Sequence, residues 1–97
     1  MYQIDNSIGE QGFSKLQIKK IVASEAFDIL SICLEKDAIF PDHTSPTNAH
    51  LIVLEGEIVF HINDTSYQLK KQQHFNFPKD TIHWVKATTN SKFLIIR

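Results

Sequence analysis

The chain has 97 residues, a length that supports one domain and lies near the lower end for a self-sufficient core. Its 42% hydrophobic content, with seven Phe, excludes a disordered chain. Ten Lys and Arg against eleven Asp and Glu leave a net charge of -1, which offers no long-range field to a polyanion or a membrane surface and sets nucleic acid aside as a partner.

From Met1 to Phe13 the chain is polar and carries Gly9 and Gly12. Residues 1–14 read as a polar lead-in that docks late or frays, ahead of one domain over residues 15–97. The N-terminus has neither the basic start nor the apolar stretch of a secretory signal, and the single cysteine, Cys33, has no partner for an internal disulfide. A cytoplasmic location is expected. Period-two patterning begins at Lys15-Leu16-Gln17-Ile18-Lys19 and continues in residues 27–34, which are apolar at nearly every position, as in a strand covered on both faces. Residues 35–37 form a turn, and residues 40–48 read as irregular because Pro41 and Pro46 exclude helix.

The strongest β signal follows. Residues 51–54 and 57–62 are two strands joined tightly through Glu55-Gly56, and Asn63-Asp64 turns the chain into residues 66–69. Ile58, Phe60 and Ile62 are expected on the core face, with Glu57, Val59 and His61 on the other. Residues 75–77, 83–87 and 93–96 complete about eight short strands at the spacing of an all-β sandwich or barrel. Leu51 to Leu54, matched in length by residues 93–96, is as long as any apolar run in the sequence, far short of the roughly 20 residues that a membrane helix needs.

Five histidines stand at positions 43, 50, 61, 74 and 83, and neutral imidazole is the commonest protein ligand for transition metals. None sits in a local zinc signature, so the fold must assemble any site from distant strands. A nucleophile elbow, a phosphate-cradling glycine loop and a dinucleotide fingerprint are all missing from the sequence. His61 and His74 read as surface residues, Cys33 as a small buried hydrophobe, and Trp84 by strand parity as pointing away from His83. Asn63-Asp64-Thr65 matches a glycosylation sequon but reads as turn chemistry.

Residues 37–87 resemble the two motifs of the cupin superfamily. In the first, Asp37 stands for the opening Gly, His43 for the first His, Ser45 for the second His, Ala49 for the Glu and Gly56 for the closing Gly, without a gap. In the second, Gln72, Pro78, Asp80, His83 and Ala87 take the places of Gly, Pro, Gly, His and Asn. The resemblance implies an all-β double-stranded β-helix, or jelly roll, of two antiparallel sheets. It also brings His43 and His83 together as the retained half of a four-ligand metal site, in which Ser45 is a weak donor and Ala49 none.

The resemblance leaves two functions open. One is a binding module in which His43 and His83 give hydrogen bonds to a small molecule in an apolar pocket. The other is a metal-dependent enzyme of dioxygenase or isomerase type acting on a small organic substrate. There His43 and His83, with His50 or water, would hold Fe, Mn, Ni or Zn. His50 lies one residue past the family's glutamate position. It is therefore either a surface or interface residue or, if a bulge re-aims it, a third ligand. Ser45, Ala49 and Leu51 are expected to line the ligand pocket. Small cupins commonly dimerise, and the two-faced apolar runs over residues 29–34 and 51–54 lead to the expectation of a homodimer. No DNA-binding module is expected in the chain.

Overall fold

The computed structural model describes residues 2–97, and β-strands dominate it. The strands are β1 (Leu16–Ala23), β2 (Asp28–Leu34), β3 (Ile39–His43), β4 (Ala49–Glu55), β5 (Glu57–Ile62), β6 (Thr65–Lys70), β7 (His74–Phe77), β8 (His83–Ala87) and β9 (Ser91–Ile96), preceded by one short helix, α1 (Ser7–Glu10). They form a five-stranded sheet in the order β1-β2-β9-β4-β7 and a four-stranded sheet in the order β3-β8-β5-β6. Every strand pairing is antiparallel. The chain crosses repeatedly from one sheet to the other, as in a jelly roll.

Alternation explains the core. In β5, Ile58, Phe60 and Ile62 are buried while their neighbours are half-buried, as period two requires. They meet Leu30, Ile32 and Leu34 of β2, Leu51 and Val53 of β4, and Phe93 and Ile95 of β9 in one apolar cluster. Burying each such side chain stabilises the fold by about 1.5–3 kcal/mol.

The expectation of about eight strands omitted β3. Pro41 lies inside it, and the ladder to β8 shifts register between Phe40 and His43. Because β3 is the edge of its sheet, a residue with no N–H can sit at this irregularity without breaking an inner ladder.

Turn conformations agree with the motif frame. Asp37, Gln72 and Asp80, which occupy family glycine positions, have φ of 68°, 69° and 58°. The backbone keeps the left-handed geometry although the glycines are gone, at a cost that Asp tolerates better than Gln. Gly56 has φ of 81°, and a Cβ there would collide with the Asn90 carbonyl oxygen and with Ser91. Asn63 and Asp64, both at positive φ, close the two-residue hairpin between β5 and β6.

The polar lead-in expected over residues 1–14 carries α1, and its first residue, Met1, lies outside the described residues. The Gln11 amide Nε2 donates to the carbonyls of Ser31, at 2.9 Å, and Gln17, at 3.1 Å. Lys92 Nζ donates to the Ile8 carbonyl at 2.5 Å, sits over the Phe13 ring at 5.8 Å, and is 3.7 Å from a Glu55 carboxylate oxygen. Residues 8–13 thus lie on the outer face of β2, where Ser31 and Cys33 are fully buried. Burial pushes the Cys33 thiol pKa up. The two-faced burial read from residues 27–34 holds from Leu30 to Leu34, whereas Phe27 is exposed and Asp28 and Ile29 are half-buried; on β2 the chain's own N-terminal segment provides the second cover.

Candidate functional site

β3 and β8 place His43 directly opposite His83 in register. On β8, alternation turns His83, Val85 and Ala87 inward and Trp84 and Lys86 outward, so His83 is enclosed and only 1% exposed. Its ring stacks on Phe60 (5.1 Å, 15°), packs against Phe77 (4.6 Å), and meets the half-buried His43 edge-to-face at 4.1 Å. His43 in turn stacks on Phe40 at 3.9 Å and 11°. The sequence placed Phe40 in an irregular stretch, and only the β3–β8 register shows that it backs His43.

Both imidazoles are oriented in the same way. The His43 Nδ1–H donates to the Pro41 carbonyl at 2.6 Å, and the His83 Nδ1–H donates to the Thr81 carbonyl at 2.9 Å. Each carbonyl belongs to the residue two positions earlier, so the local backbone sets the tautomer and leaves each Nε2 with its lone pair. Burial pushes the pKa of His83 below its ordinary value of 6.5 and the nearby His43 adds to this, against the opposing Thr81 hydrogen bond. At neutral pH His83 is an uncharged acceptor.

The pair borders a cavity of about 30 Å³ that is also lined by Leu30, Phe40, Ser45, Phe77, Ile95 and Arg97. It has room for about one or two water molecules. A wider open groove of about 760 Å³ runs along the outside of the four-stranded sheet, past Asp42, His61, Asp64, Asp80 and Trp84. Its floor is a stack of His61 on Trp84 at 3.6 Å and 4°, with Ser66 Oγ 2.9 Å from His61 Nδ1. The interior cavity is far smaller, yet two imidazoles oriented by backbone carbonyls line it.

The other residues expected at the site are distributed differently. Ser45 is buried and lines the cavity, but its hydroxyl donates to the Thr47 carbonyl at 2.7 Å. Ala49 and Leu51 are buried on the inner face of β4 and belong to the core cluster; neither lines the cavity. Regular alternation in β4 sends His50 to the opposite face, where it contacts His74 and not the interior pair. The bulge that would have turned it inward does not occur at that position, because His50 is paired in register with both Asn76 and Ile96.

A metal centre needs about three or four protein ligands. Among the described residues no three His, Cys, Asp or Glu side chains come together to hold one. Two imidazoles line the cavity, the hydroxyl at Ser45 is engaged, and Ala49 offers no donor atom. The residues present do not fit a resident metal at this position.

The family model described as Cupin domain matches residues 30–96. Among solved structures, an RmlC-like cupin protein from Desulfovibrio desulfuricans superposes with a TM-score of 0.86 at 24% identity, over 99% of this chain and 95% of that one. A conserved protein of unknown function from Streptococcus pyogenes gives 0.84 at 18% identity, over 99% and 86%. A cupin superfamily protein from Desulfitobacterium hafniense gives 0.81 at 17%, over 90% and 80%. At these identities the likeness is one of fold. No curated protein matches the sequence. Among the described residues, no helix is long and apolar enough to cross a membrane.

Proposed function

The chain belongs to the cupin family, whose domains can bind small molecules or metals, and from that premise we propose that this one is a metal-independent binding module for a small hydrogen-bond donor. The observation that carries the reading is the orientation of the two interior imidazoles. Both Nδ1–H groups are held by backbone carbonyls, so each ring keeps Nε2 as an acceptor, and because both rings line the cavity a ligand with paired O–H or N–H groups complements them. Apolar walls from Leu30, Phe77 and Ile95, beside the polar Ser45 and Arg97, leave room for few waters around those bonds.

The cavity is small because Phe40 and His43 stack across one side of it. Both residues belong to the edge strand β3, which is paired on one side only, so β3 is the element that moves to admit a ligand larger than water. The enzyme reading, a dioxygenase or isomerase centred on Fe, Mn, Ni or Zn, lacks the third ligand it needs.

Elemental analysis of tag-free protein, with NMR of the imidazole Cε1–H resonances during titration with small polyols and hydroxy acids, tests the proposal. The expected result is a metal content unchanged by His43→Ala or His83→Ala, with titration shifts confined to these two rings. Stoichiometric metal lost in either variant would overturn it. A homodimer is proposed as well, supported by the half-buried Ile52, Leu54, Leu94 and Ile96 on the outer face of β4 and β9. The covered face of β2 is not part of that surface.

A further inference from the structure

One guanidinium borders the interior cavity, and among the described residues no carboxylate does: Arg97 lines it together with His43 and His83, and its remaining walls carry no Asp or Glu. Along β9, alternation turns Phe93 and Ile95 inward and Leu94 and Ile96 outward, so the side chain of Arg97, one position further on, returns to the interior. Its backbone is pinned to β2. The Arg97 N–H donates to the Asp28 carbonyl at 2.9 Å, and the Asp28 N–H donates to the Arg97 carbonyl at 2.5 Å.

The guanidinium is held only loosely. Its Nε lies 3.9 Å from a carboxylate oxygen of Asp28, beyond hydrogen-bond reach, and the same oxygen lies 3.7 Å from Lys20 Nζ. Nε itself is closed off from solvent without a hydrogen-bond partner, an arrangement that folded proteins keep to a few places. Arg97 also borders an open depression of about 160 Å³ whose other walls include Pro46, Thr47 and the exposed Glu25, while Thr44 and Ser45 line the cavity. Arg97 and residues 44–47 thus form the partition between the interior and that depression.

A neutral ligand in the cavity would leave this charge unanswered, and a cation would be repelled by it. A carboxylate answers it, since the planar fork can donate two parallel N–H···O bonds to one carboxylate. The imidazoles ask for something else. With each Nδ1–H given to a backbone carbonyl, each ring keeps an Nε2 acceptor for an O–H or N–H. An ammonium N–H would bring positive charge into a cavity that no carboxylate lines, which leaves the hydroxyl. Resting on the reading of His43 and His83 as acceptors, we propose that the ligand is a small hydroxycarboxylate, with its hydroxyls on the imidazoles and its carboxylate on Arg97. Arg97 is then the residue that separates acids from neutral polyols. Outward movement of β3 admits the ligand, and Arg97, pinned to β2, keeps its place.

Titration of the full tag-free chain with glycerate, glycerol and propionate at neutral pH, followed through the imidazole Cε1–H resonances, tests the assignment. Glycerate should shift both His43 and His83 and bind about tenfold or more tighter than glycerol, which lacks the charge-assisted bonds. Propionate lacks the hydroxyls and should bind more weakly than glycerate. Arg97→Gln should bring glycerate down to the affinity of glycerol, and its retained glycerol binding shows that the variant is folded; Arg97→Lys should fall between. Asp28→Asn should tighten glycerate binding and leave glycerol unchanged, a response that a merely structural arginine would not give. Equal binding of glycerate and glycerol by the parent, or an unaltered preference in Arg97→Gln, overturns the role of Arg97 and leaves the imidazole reading standing. Failure of all three probes to shift either ring overturns both.

Discussion

His43 and His83 face each other across the β3–β8 ladder inside the barrel, whereas His50 and His74 meet across the β4–β7 ladder on its outside. Both pairs are products of cross-strand register, and in both the rings lie within about van der Waals reach of each other. They differ in where the nitrogens are used. In the interior, backbone carbonyls take both Nδ1–H groups and two acceptors remain for a ligand. On the surface, the two rings use one nitrogen each on one another. A like pair of residues thus bonds to the backbone in one place and to itself in the other, and the carbonyls beside His43 and His83 make the difference.

The largest test of this contrast is stability. His83→Ala removes a ring enclosed by Phe60, Phe77 and His43, and it should cost about 2–4 kcal/mol in urea unfolding through the cavity it leaves. Acid should act on the same ring. Its folded pKa lies below the unfolded value, so above the unfolded pKa both states are neutral and the full stability is present. As pH falls from about 6.5 toward the folded pKa, the unfolded state takes up a proton first and stability declines, by at most about 1.4 kcal/mol per pH unit. Urea unfolding at a series of pH values should lose that slope in a His83→Gln variant; an unchanged slope would move the titration to another group. The smallest effect belongs outside. His50→Ala and His74→Ala should each change stability by no more than about 0.5 kcal/mol, and a larger loss would mean that the outer pair is structural.

Strand alternation was legible where strands are regular. Ile58, Phe60 and Ile62 were placed inward by parity alone, and they are buried. Trp84 was assigned to the face opposite His83, and it stacks on His61 there. Parity also set His50 apart from the pocket, whereas its meeting with His74 depended on the β4–β7 register, which no local pattern encodes. β3 escaped because a proline and a register shift erase alternation in so short a strand. The cover on β2 escaped for another reason: Gln11 bonds to the Ser31 carbonyl, a long-range pairing of a polar side chain with backbone that composition and periodicity do not reveal. The motif frame is legible although three of its four glycine positions hold other residues, because spacing survives substitution. The positive φ at Asp37, Gln72 and Asp80 shows that the backbone kept what the residue types did not.

Cys33 is fully buried, its Sγ lies 3.7 Å from the Gln11 carbonyl oxygen, and it is the only cysteine in the chain. A thiol shut in by a segment held through a few hydrogen bonds meets reagent only when that segment lifts, so its alkylation follows local opening and not global unfolding. The rate at which Cys33 is labelled is thus a built-in clock for how often the N-terminal strap peels from the barrel wall.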